Sequence, residues 1–328
     1  MAIHRRSFLS AAISTTVAAT MPAALAQSGY PNRQIRMIVP NPAGGGTDIM
    51  GRLAADAISV QFGQPVIVDN RAGSSGMIAA DAVLQLPADG YTLFAVYSGV
   101  MTVNPAIYKE RLRYDSLKDF VPIAPIAEVP NVLVVNASLP VHSVADLIKL
   151  AQSKPGKLNY ASSGNGVSNH LAMELFKQMA GVNITHIPYR GGAPAMVDLI
   201  GGQVDVMFNN MAEMAGHLKN PRLRILAVAT DKRVPTLPDV PTVAESGLNG
   251  YEIKLWYGVV AKAGTPDDIV DKLNAAIRAQ FERPEKRDRL SNLASLPMSM
   301  STGEFRNLIA QEQRKWAKVV DEAGIKAE

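Results

Sequence analysis

Short apolar runs rich in β-branched residues alternate along the chain with amphipathic stretches of helical length. Residues 33–40 predict a first strand, and residues 47–63 predict a helix with an apolar face, stopped by Gly63 and Pro65. The alternation continues to a third strand at residues 90–98 and starts again near Asn131. This pattern is typical of an α/β protein whose parallel sheets carry helices on both faces.

The two αβ series predict two lobes between which the chain crosses over and comes back. A proline-rich connector at residues 233–247 follows the second series, and three helical stretches then finish the chain. We therefore assign residues 27–127 plus 250–328 to lobe 1 and residues 128–249 to lobe 2.

The first 26 residues predict an export signal. They combine a basic start, an apolar stretch and the small-residue ending Ala24-Leu25-Ala26, so that Gln27 is the expected first mature residue. The segment Arg5-Arg6-Ser7-Phe8-Leu9 also resembles the twin-arginine export signal, with an ordinary secretory signal as the alternative. Either signal places the mature protein outside the cytoplasm.

Charge and cysteine content narrow the possible functions. The formal net charge is +4, and it falls to +2 without the signal, which contains Arg5 and Arg6 but no lysine or acidic residue. So small a charge argues against nucleic acid as a partner. The absence of cysteine excludes disulfides, thiolate chemistry and cysteine metal sites.

Four turns rich in glycine or serine each follow a predicted strand and precede a predicted helix. They are residues 39–52, 70–77, 162–169 and 189–196. In open parallel sheets such turns lie at the carboxyl ends of the strands, where ligands bind. Backbone N–H groups at a helix start bind anions, so these turns predict a shared cleft for a phosphate or a carboxylate.

Enzyme and cofactor signatures are weak in these turns. Gly44 and Gly46 give the G-x-G of a dinucleotide fingerprint and Asp69 its ribose-binding acid, but Ile49 replaces the third glycine. Ser75 and Ser163 lack the G-x-S-x-G elbow of a nucleophile, and the histidines lack metal-ligand spacing. We expect no cofactor and no metal, with an exported enzyme that has a cleft active site or a bound cofactor as the alternative.

Three side chains in or beside the turns are ambiguous. His170, in the first turn of a predicted helix, is a candidate for ligand contact. Asp48 complements a helix dipole or shapes its loop. Arg190 and the adjacent Gly191 are candidates for ligand contact, with a surface or interlobe ion pair as the alternative for Arg190.

Several ordered motifs resemble the periplasmic solute-binding proteins of tripartite tricarboxylate transporters, also called Bug receptors. They include VPNPAGGGTDIMGR, YASSGNGVSNHLAMELF, PYRGGAPAMVDLIGGQVDVMF and WYGVVAKAGTP, and the similarity runs from about Tyr30 to Lys326. The resemblance implies a type II periplasmic binding protein fold, with two αβ lobes, a hinge and an interlobe ligand cleft.

The resemblance also implies a binding site. The family holds a carboxylate between the loop after the first strand and a facing loop of the second lobe, largely through backbone N–H groups and ordered water. On this chain those loops contain Ala43, Gly44, Gly45, Gly46 and Asp48, and Ser162, Ser163, Gly164, Asn165, Gly166, Val167 and Ser168. Further candidates at strand ends are Tyr97, Ser98, Asn209 and Asn210, and Asn41 stands where the family often has an aromatic residue.

The function that the resemblance implies is binding without chemistry. The expected solute is a small di- or tricarboxylate, an acidic amino acid or an aromatic acid, which the protein delivers to the membrane subunits of a tripartite tricarboxylate transporter. A sensor protein is the alternative partner. We expect a monomer.

Overall fold

The computed structural model describes residues 29–164, 166–189 and 191–325. The predicted export signal, residues 1–26, and two predicted site residues, Asn165 and Arg190, lie outside the described residues. None of the helices in the described part of the chain has the length and apolar character that a membrane span requires.

The first lobe is built on a six-stranded sheet in the order β11-β4-β10-β3-β1-β2. Its strands are β1 (Ile35–Val39), β2 (Val66–Asn70), β3 (Thr92–Tyr97), β4 (Phe120–Glu128), β10 (Trp256–Lys262) and β11 (Leu296–Pro297). Its helices are α1 (Gly46–Phe62), α2 (Met77–Leu84), α3 (Asn104–Ile107), α8 (Asp267–Phe281), α9 (Pro284–Asn292) and α10 (Thr302–Glu322).

The second lobe is built on a five-stranded sheet in the order β7-β6-β8-β5-β9. Its strands are β5 (Asn131–Asn136), β6 (Asn159–Ser162), β7 (Thr185–Pro188), β8 (Val206–Asn210) and β9 (Leu223–Val228). Its helices are α4 (Val144–Ser153), α5 (Ser168–Ala180), α6 (Gly192–Gly201) and α7 (Met211–Met214).

Both sheets are mixed, whereas the sequence pattern predicted parallel sheets. In the first sheet β1 runs parallel to β2 and β3, but β10 runs antiparallel to β3 and β4. In the second sheet β5 runs antiparallel to β8 and β9. The reversed strands are β10 and β11 in the first sheet and β5 in the second. β5 and β10 are each the first strand to enter a sheet after the chain has crossed from the other lobe, and the hydrophobic periodicity does not show the direction of a strand.

The strand β4 is absent from the sequence prediction because it contains two prolines. Proline cannot donate to a sheet ladder and normally argues against an inner strand. Here the ladder between β4 and β10 shifts register twice, and Pro125 and Pro122 pair with Gly258 and Val260 at these irregularities. β4 carries the chain to the lobe boundary.

The two segments that cross between the lobes run side by side. One connects Glu128 to Asn131, and the other, after β9, reaches β10 through residues 253–255. The Val129 N–H donates to the Leu255 carbonyl at 2.8 Å, and the Ile253 N–H donates to the Ala229 carbonyl at 2.8 Å. These paired segments form the hinge-side boundary between the two sheets.

Helix α10 contributes to the cores of both lobes. Phe305 and Ile309 in its first half are buried in a cluster with Trp256 of the first sheet. Trp316 and Val320 in its second half are buried in a different cluster, which the second lobe forms around α5 and β8. The helix therefore spans the lobe boundary on its apolar face.

Candidate functional site

A cavity of about 280 Å³ lies between the two lobes. Its wall combines the starts of helices α1 and α5, the end of β3 with the residues that follow it, the two hinge segments and one side chain of α10. The lining residues used below are Asn41, Gly46, Thr47, Ser75, Tyr97, Ser98, Asn104, Tyr108, Asn131, Ser163, Gly166, Val167, Ser168, Asn169, Asn210, Glu213, Lys254, Tyr257 and Trp316.

Helix α1 begins at the cavity without a side-chain cap. Its N-cap residue is Gly45, and Gly46 and Thr47 line the cavity. The Gly44 N–H donates to Asp48 Oδ2 at 2.9 Å, and the Gly45 N–H donates to the Pro42 carbonyl at 3.3 Å. Because the first N–H groups of a helix lack partners within it, the donors offered here are those of Gly46 and Thr47.

Helix α5 begins at the same cavity from the other lobe, also without a side-chain cap. Its N-cap residue is Val167, and Ser168 and Asn169 line the cavity. The preceding Gly166 N–H donates to His170 Nδ1 at 2.9 Å, and the Ser163 N–H donates to Asn169 Oδ1 at 3.1 Å. The loop amides are again satisfied internally, so the first turn of the helix supplies the donors.

Asp48 shapes the first loop and does not line the cavity. Its side chain is 2% exposed and accepts hydrogen bonds from Gly44, Arg52 and Asn70, each at 2.9 Å. Burial alone would raise the pKa of this carboxyl group, but the hydrogen bonds from Arg52, Gly44 and Asn70 lower it below its usual value. The charge on Asp48 is therefore compensated within the loop.

His170 accepts a hydrogen bond from the second loop and does not line the cavity. Its ring is stacked on that of His186 with centroids 4.1 Å apart, and the His186 ring is stacked on Tyr160 at 4.6 Å. Burial and the neighbouring His186 lower the pKa of His170 to about 4. The ring is therefore neutral near pH 7, as it must be for Nδ1 to accept from Gly166.

The structure divides the predicted site residues into two groups. Those that line the cavity are Asn41, Gly46, Tyr97, Ser98, Ser163, Gly166, Val167, Ser168 and Asn210. The cavity wall does not include Ala43, Gly44, Gly45, Asp48, Ser162, Gly164, His170, Gly191 or Asn209. Both groups contain loop glycines. The sequence alone does not show which glycine N–H groups already donate a hydrogen bond within the protein.

The fourth predicted loop, at the start of α6, contributes none of its described residues to the cavity wall. A Cβ atom on Gly192 would collide with the Glu213 carboxylate, which lies against this helix start. An internal carboxylate therefore occupies the position at α6 that the sequence predicted for a ligand.

The residues after β3 and the loop before α2 form a polar wall, in which the sequence predicted the loop at residues 70–77 but not Asn104 or Tyr108. Ser75 Oγ lies 2.9 Å from the Tyr108 hydroxyl, and Asn104 Nδ2 donates to the Ser75 carbonyl at 2.9 Å. Ser74 and Ser75 hold φ angles of 47° and 52°, which are unusual for residues with a side chain. Burial raises the pKa of the Tyr97 hydroxyl to about 12, so this wall presents neutral groups.

The described cavity wall contains two charged side chains, Lys254 and Glu213. Lys254 forms an ion pair with Glu252 at 2.9 Å, and Glu213 points toward Gly192. Within residues 29–164, 166–189 and 191–325, no three His, Asp or Glu side chains are grouped to hold a metal ion. The cavity offers polarised N–H groups and neutral hydroxyl and amide groups.

Sequence comparison identifies relatives over the whole described chain. The model of the tripartite tricarboxylate transporter family receptor matches residues 50–325. A protein of Pseudomonas sp. strain P51, named UPF0065 protein in the tcbD-tcbE intergenic region, is 37% identical and covers 99% of this chain and 96% of its own length. Protein BugT of Bordetella pertussis is 37% identical and covers 90% of this chain and 91% of its own length.

Solved structures show the same two-lobed architecture. Rpa4515 of R. palustris with adipate has a TM-score of 0.79 and 41% identity, and the match covers 91% of this chain and 99% of that one. MatC of Rhodopseudomonas palustris with bound malate has a TM-score of 0.75 and 31% identity, and the match covers 89% of this chain and 100% of that one. These matches confirm the type II fold that the resemblance implied. The chain therefore belongs to the tripartite tricarboxylate transporter family of receptors.

Proposed function

We propose that the protein is a periplasmic receptor that binds a small carboxylate and delivers it to a tripartite tricarboxylate-type transporter in the membrane. The observation that carries this proposal is the meeting of two uncapped helix starts, Gly46–Thr47 and Ser168–Asn169, in one cavity. Each start directs N–H groups and the positive end of a helix dipole at the same space. Adipate and malate in two related structures support the ligand class.

These groups are sufficient to bind a carboxylate without a dedicated cationic side chain. A hydrogen bond to a charged group contributes about 1.5 to 3 kcal/mol. A helix end adds roughly 0.3 to 2 kcal/mol. Because a micromolar ligand requires only about 8 kcal/mol, two helix ends and a few neutral donors provide the required affinity.

Binding between lobes links the ligand to closure. A carboxylate that accepts from both α1 and α5 interacts fully only when the two helix starts are close together. The ligand therefore stabilises the closed arrangement by the difference in its affinity for the two states. The two segments that connect the lobes are joined by the bond from the Val129 N–H to the Leu255 carbonyl.

The same proposal covers the export route, the partner and the oligomeric state of the protein. The family is periplasmic, so residues 1–26 serve as a cleaved signal, and the twin-arginine route fits Arg5 and Arg6. The receptor acts as a monomer, performs no chemical step and passes its solute to membrane subunits. A signalling protein is the second candidate partner, distinguished by whether deletion of the membrane subunits abolishes uptake.

A thermal-unfolding screen tests the ligand class. The purified protein is mixed with mono-, di- and tricarboxylates, aromatic acids and acidic amino acids, with NAD and sugars as controls. At a thousand times its dissociation constant a ligand stabilises the native state by about 4 kcal/mol. For domains near this size that is a rise of roughly ten degrees. A rise with an acid supports the proposal, and a rise with NAD or a sugar but no acid contradicts it.

A further inference from the structure

A group of charged side chains lies beside the two segments that cross between the lobes. Glu128 is the last residue of β4, where the first crossing segment begins, and it pairs in the sheet with the uncharged residues Trp256 and Leu296. The second crossing segment, helix α10 and the turn after β9 contribute the other charges. We call this group the hinge cluster, and its members are Glu128, Asp231, Glu252, Lys254, Glu312 and Lys315.

Both lysines of the hinge cluster are engaged with groups other than Glu128. Lys254 Nζ forms an ion pair with Glu252 at 2.9 Å. Lys315 Nζ lies 3.5 Å from a carboxylate oxygen of Glu312 and donates to the Glu252 carbonyl at 2.5 Å. Neither lysine forms such an ion pair with Glu128 in the described part of the chain. Four acids of the cluster therefore share two lysines, and neither lysine is paired with Glu128.

The carboxyl group of Glu128 is half-buried, and its charge is poorly compensated. Burial raises the pKa of Glu128 from 4.5 to about 7, the charge of Lys254 opposes this rise, and the other acids of the hinge cluster add to it. Near neutral pH the ionised and protonated forms of this group are therefore both populated. A modest change in the charge nearby is enough to shift the balance between them.

Lys254 connects the hinge cluster to the cavity between the lobes. Its side chain belongs to the cavity wall and also interacts electrostatically with Glu128. A second connection runs through α10, where Trp316 lines the cavity and donates from Nε1 to Glu312 at 2.9 Å. A negative charge in the cavity attracts Lys254 and so weakens the stabilisation that this lysine gives to ionised Glu128. The same charge also repels the Glu128 carboxylate, and both effects favour its protonated form.

We propose that binding of an anionic solute in the cavity is coupled to the uptake of a proton by Glu128 at the hinge. This inference rests on the proposed function, because it requires an anion in the cavity beside the hinge cluster. The proton comes from the solvent and binds a carboxylate oxygen of Glu128. Because binding takes up a proton, the affinity for the solute rises as the pH falls through the neutral range.

Calorimetric titration of the wild-type protein in HEPES and in Tris, which differ in ionisation enthalpy, measures this proton uptake. The probes are adipate, malate, tricarballylate, glutamate and benzoate, whose carboxylates are ionised from pH 6.5 to 8.5. If the bound anion raises the pKa of Glu128 by one unit, about half a proton is taken up per solute at pH 7.5. The affinity is then roughly sixfold higher at pH 6.5 than at pH 8.5.

The wild-type titrations separate failure of this inference from failure of the proposed function. An acid that binds without proton uptake, and with the same affinity at pH 6.5 and 8.5, overturns the coupling and leaves the proposed function standing. If none of the five acids binds, the proposed function fails, and the coupling fails with it.

Glu128→Gln assigns the proton to the residue. Glutamine resembles protonated glutamate in shape and charge but does not titrate. The variant should bind the same acid without proton uptake, and its affinity should change less than twofold between pH 6.5 and 8.5. At pH 8.5 it should bind at least threefold more tightly than wild type, because the negative charge of Glu128 is absent. Proton uptake equal to that of wild type would place the proton on another group and overturn the inference.

Asp231 provides a matched control within the hinge cluster. Its side chain is exposed, so solvent and salt screen it from the cavity. Asp231→Asn removes a negative charge near Glu128 but leaves the carboxylate that accepts the proton. The variant should retain proton uptake, with its maximum at a lower pH than in wild type. A loss of uptake as complete as in Glu128→Gln would contradict the assignment of the proton to Glu128.

Discussion

The starts of helices α1 and α5 share one construction but differ in chemistry. In each, the N-cap residue provides no side-chain cap, and the N–H of the residue before it donates to a side chain four positions later. In α1 that acceptor is the ionised Asp48, held by Arg52. In α5 it is the neutral His170, held in a stack of rings. The loop amide is satisfied in both, and only α5 depends on a histidine, whose pKa is lowered from 6.5 to about 4.

Two helices that begin away from the cavity, α4 and α10, show the alternative. Ser143 caps α4 by accepting from Asp146, and Ser301 caps α10 in a reciprocal capping box with Glu304. Those side chains occupy the N–H groups that α1 and α5 leave unoccupied. The starts of α1 and α5 therefore keep N–H groups open that a side-chain cap would occupy, at some expense to helix stability.

The largest expected effect comes from supplying α1 with a cap. Gly45→Asp places a carboxylate where it accepts from the first helical N–H groups, so it competes with the ligand and repels it. We expect carboxylate affinity to fall more than a hundredfold, about 3 kcal/mol, by calorimetry. The free energy of unfolding should change by only a few tenths of a kcal/mol.

Gly45→Ala is the matched control for that variant. Gly45 has a φ angle of −74°, which alanine adopts, and an added Cβ would lie 3.4 Å from the Pro42 carbonyl oxygen, an ordinary contact. Affinity should change less than threefold. If alanine abolished binding as completely as aspartate, the loop's shape and not its N–H groups would explain the site.

The second largest effect distinguishes the two helix starts by how the free energy of unfolding depends on pH. Burial and His186 lower the pKa of His170 from 6.5 to about 4, with Lys177 adding to the decrease and Glu174 opposing it. Between these values the unfolded chain binds more protons, so the free energy of unfolding falls as the pH falls. At 1.36 kcal/mol per unit, the loss from pH 6.5 to 4.5 is roughly 2 to 3 kcal/mol.

Urea unfolding of His170→Gln measures this contribution. Glutamine keeps an acceptor but does not titrate, so the variant should lose less stability than wild type over the same pH range. Asp48→Asn is the comparison at α1. Its pKa lies below 3.8, so its contribution is lost only at lower pH and the slope above pH 4.5 should persist. An unchanged slope in His170→Gln would contradict the assignment.

A smaller effect is expected from capping the second helix. Val167 is the N-cap of α5 and is 39% exposed, so an aspartate there remains partly hydrated. Val167→Asp should weaken carboxylate binding about tenfold, less than Gly45→Asp, while Val167→Ala should not. An affinity equal to wild type in Val167→Asp would remove α5 from the proposed site.

The smallest effect tests the capped helices. Ser301→Ala removes the capping box of α10 and should lower the free energy of unfolding by about 1 kcal/mol. Carboxylate affinity should stay within twofold of wild type. A variant that lost affinity without losing stability would show that caps outside the cavity also control binding.

The sequence predicted where the helices begin at the cavity but not which groups face it. Glycine-rich turns before amphipathic stretches identified the starts of α1 and α5, because glycine at these positions reflects the local conformation of the backbone. The occupied amides of Gly44 and Gly166 depend on side chains one turn further along, and a motif does not record such bonds.

Other site residues lay beyond local reasoning. Asn131 is the first residue of a strand whose sequence is typical of a buried core strand. Trp316 lies in the last described helix, far along the chain from the loops that it meets at the cavity. Strand β4 was missed because proline normally argues against an inner strand. In the structure, register shifts in the ladder with β10 accommodate its two prolines. Each depends on which distant segments the topology brings together.

The span of α10 across both lobes has a consequence for how the protein is made. Domains generally fold as units during synthesis, the N-terminal ones first. Here Trp316 and Val320, which are synthesised after all the strands of both lobes, complete the core of the second lobe, and Trp316 also lines the cavity. A nascent chain that has not yet reached the second half of α10, or a chain truncated before it, therefore has neither a finished second lobe nor a complete cavity wall.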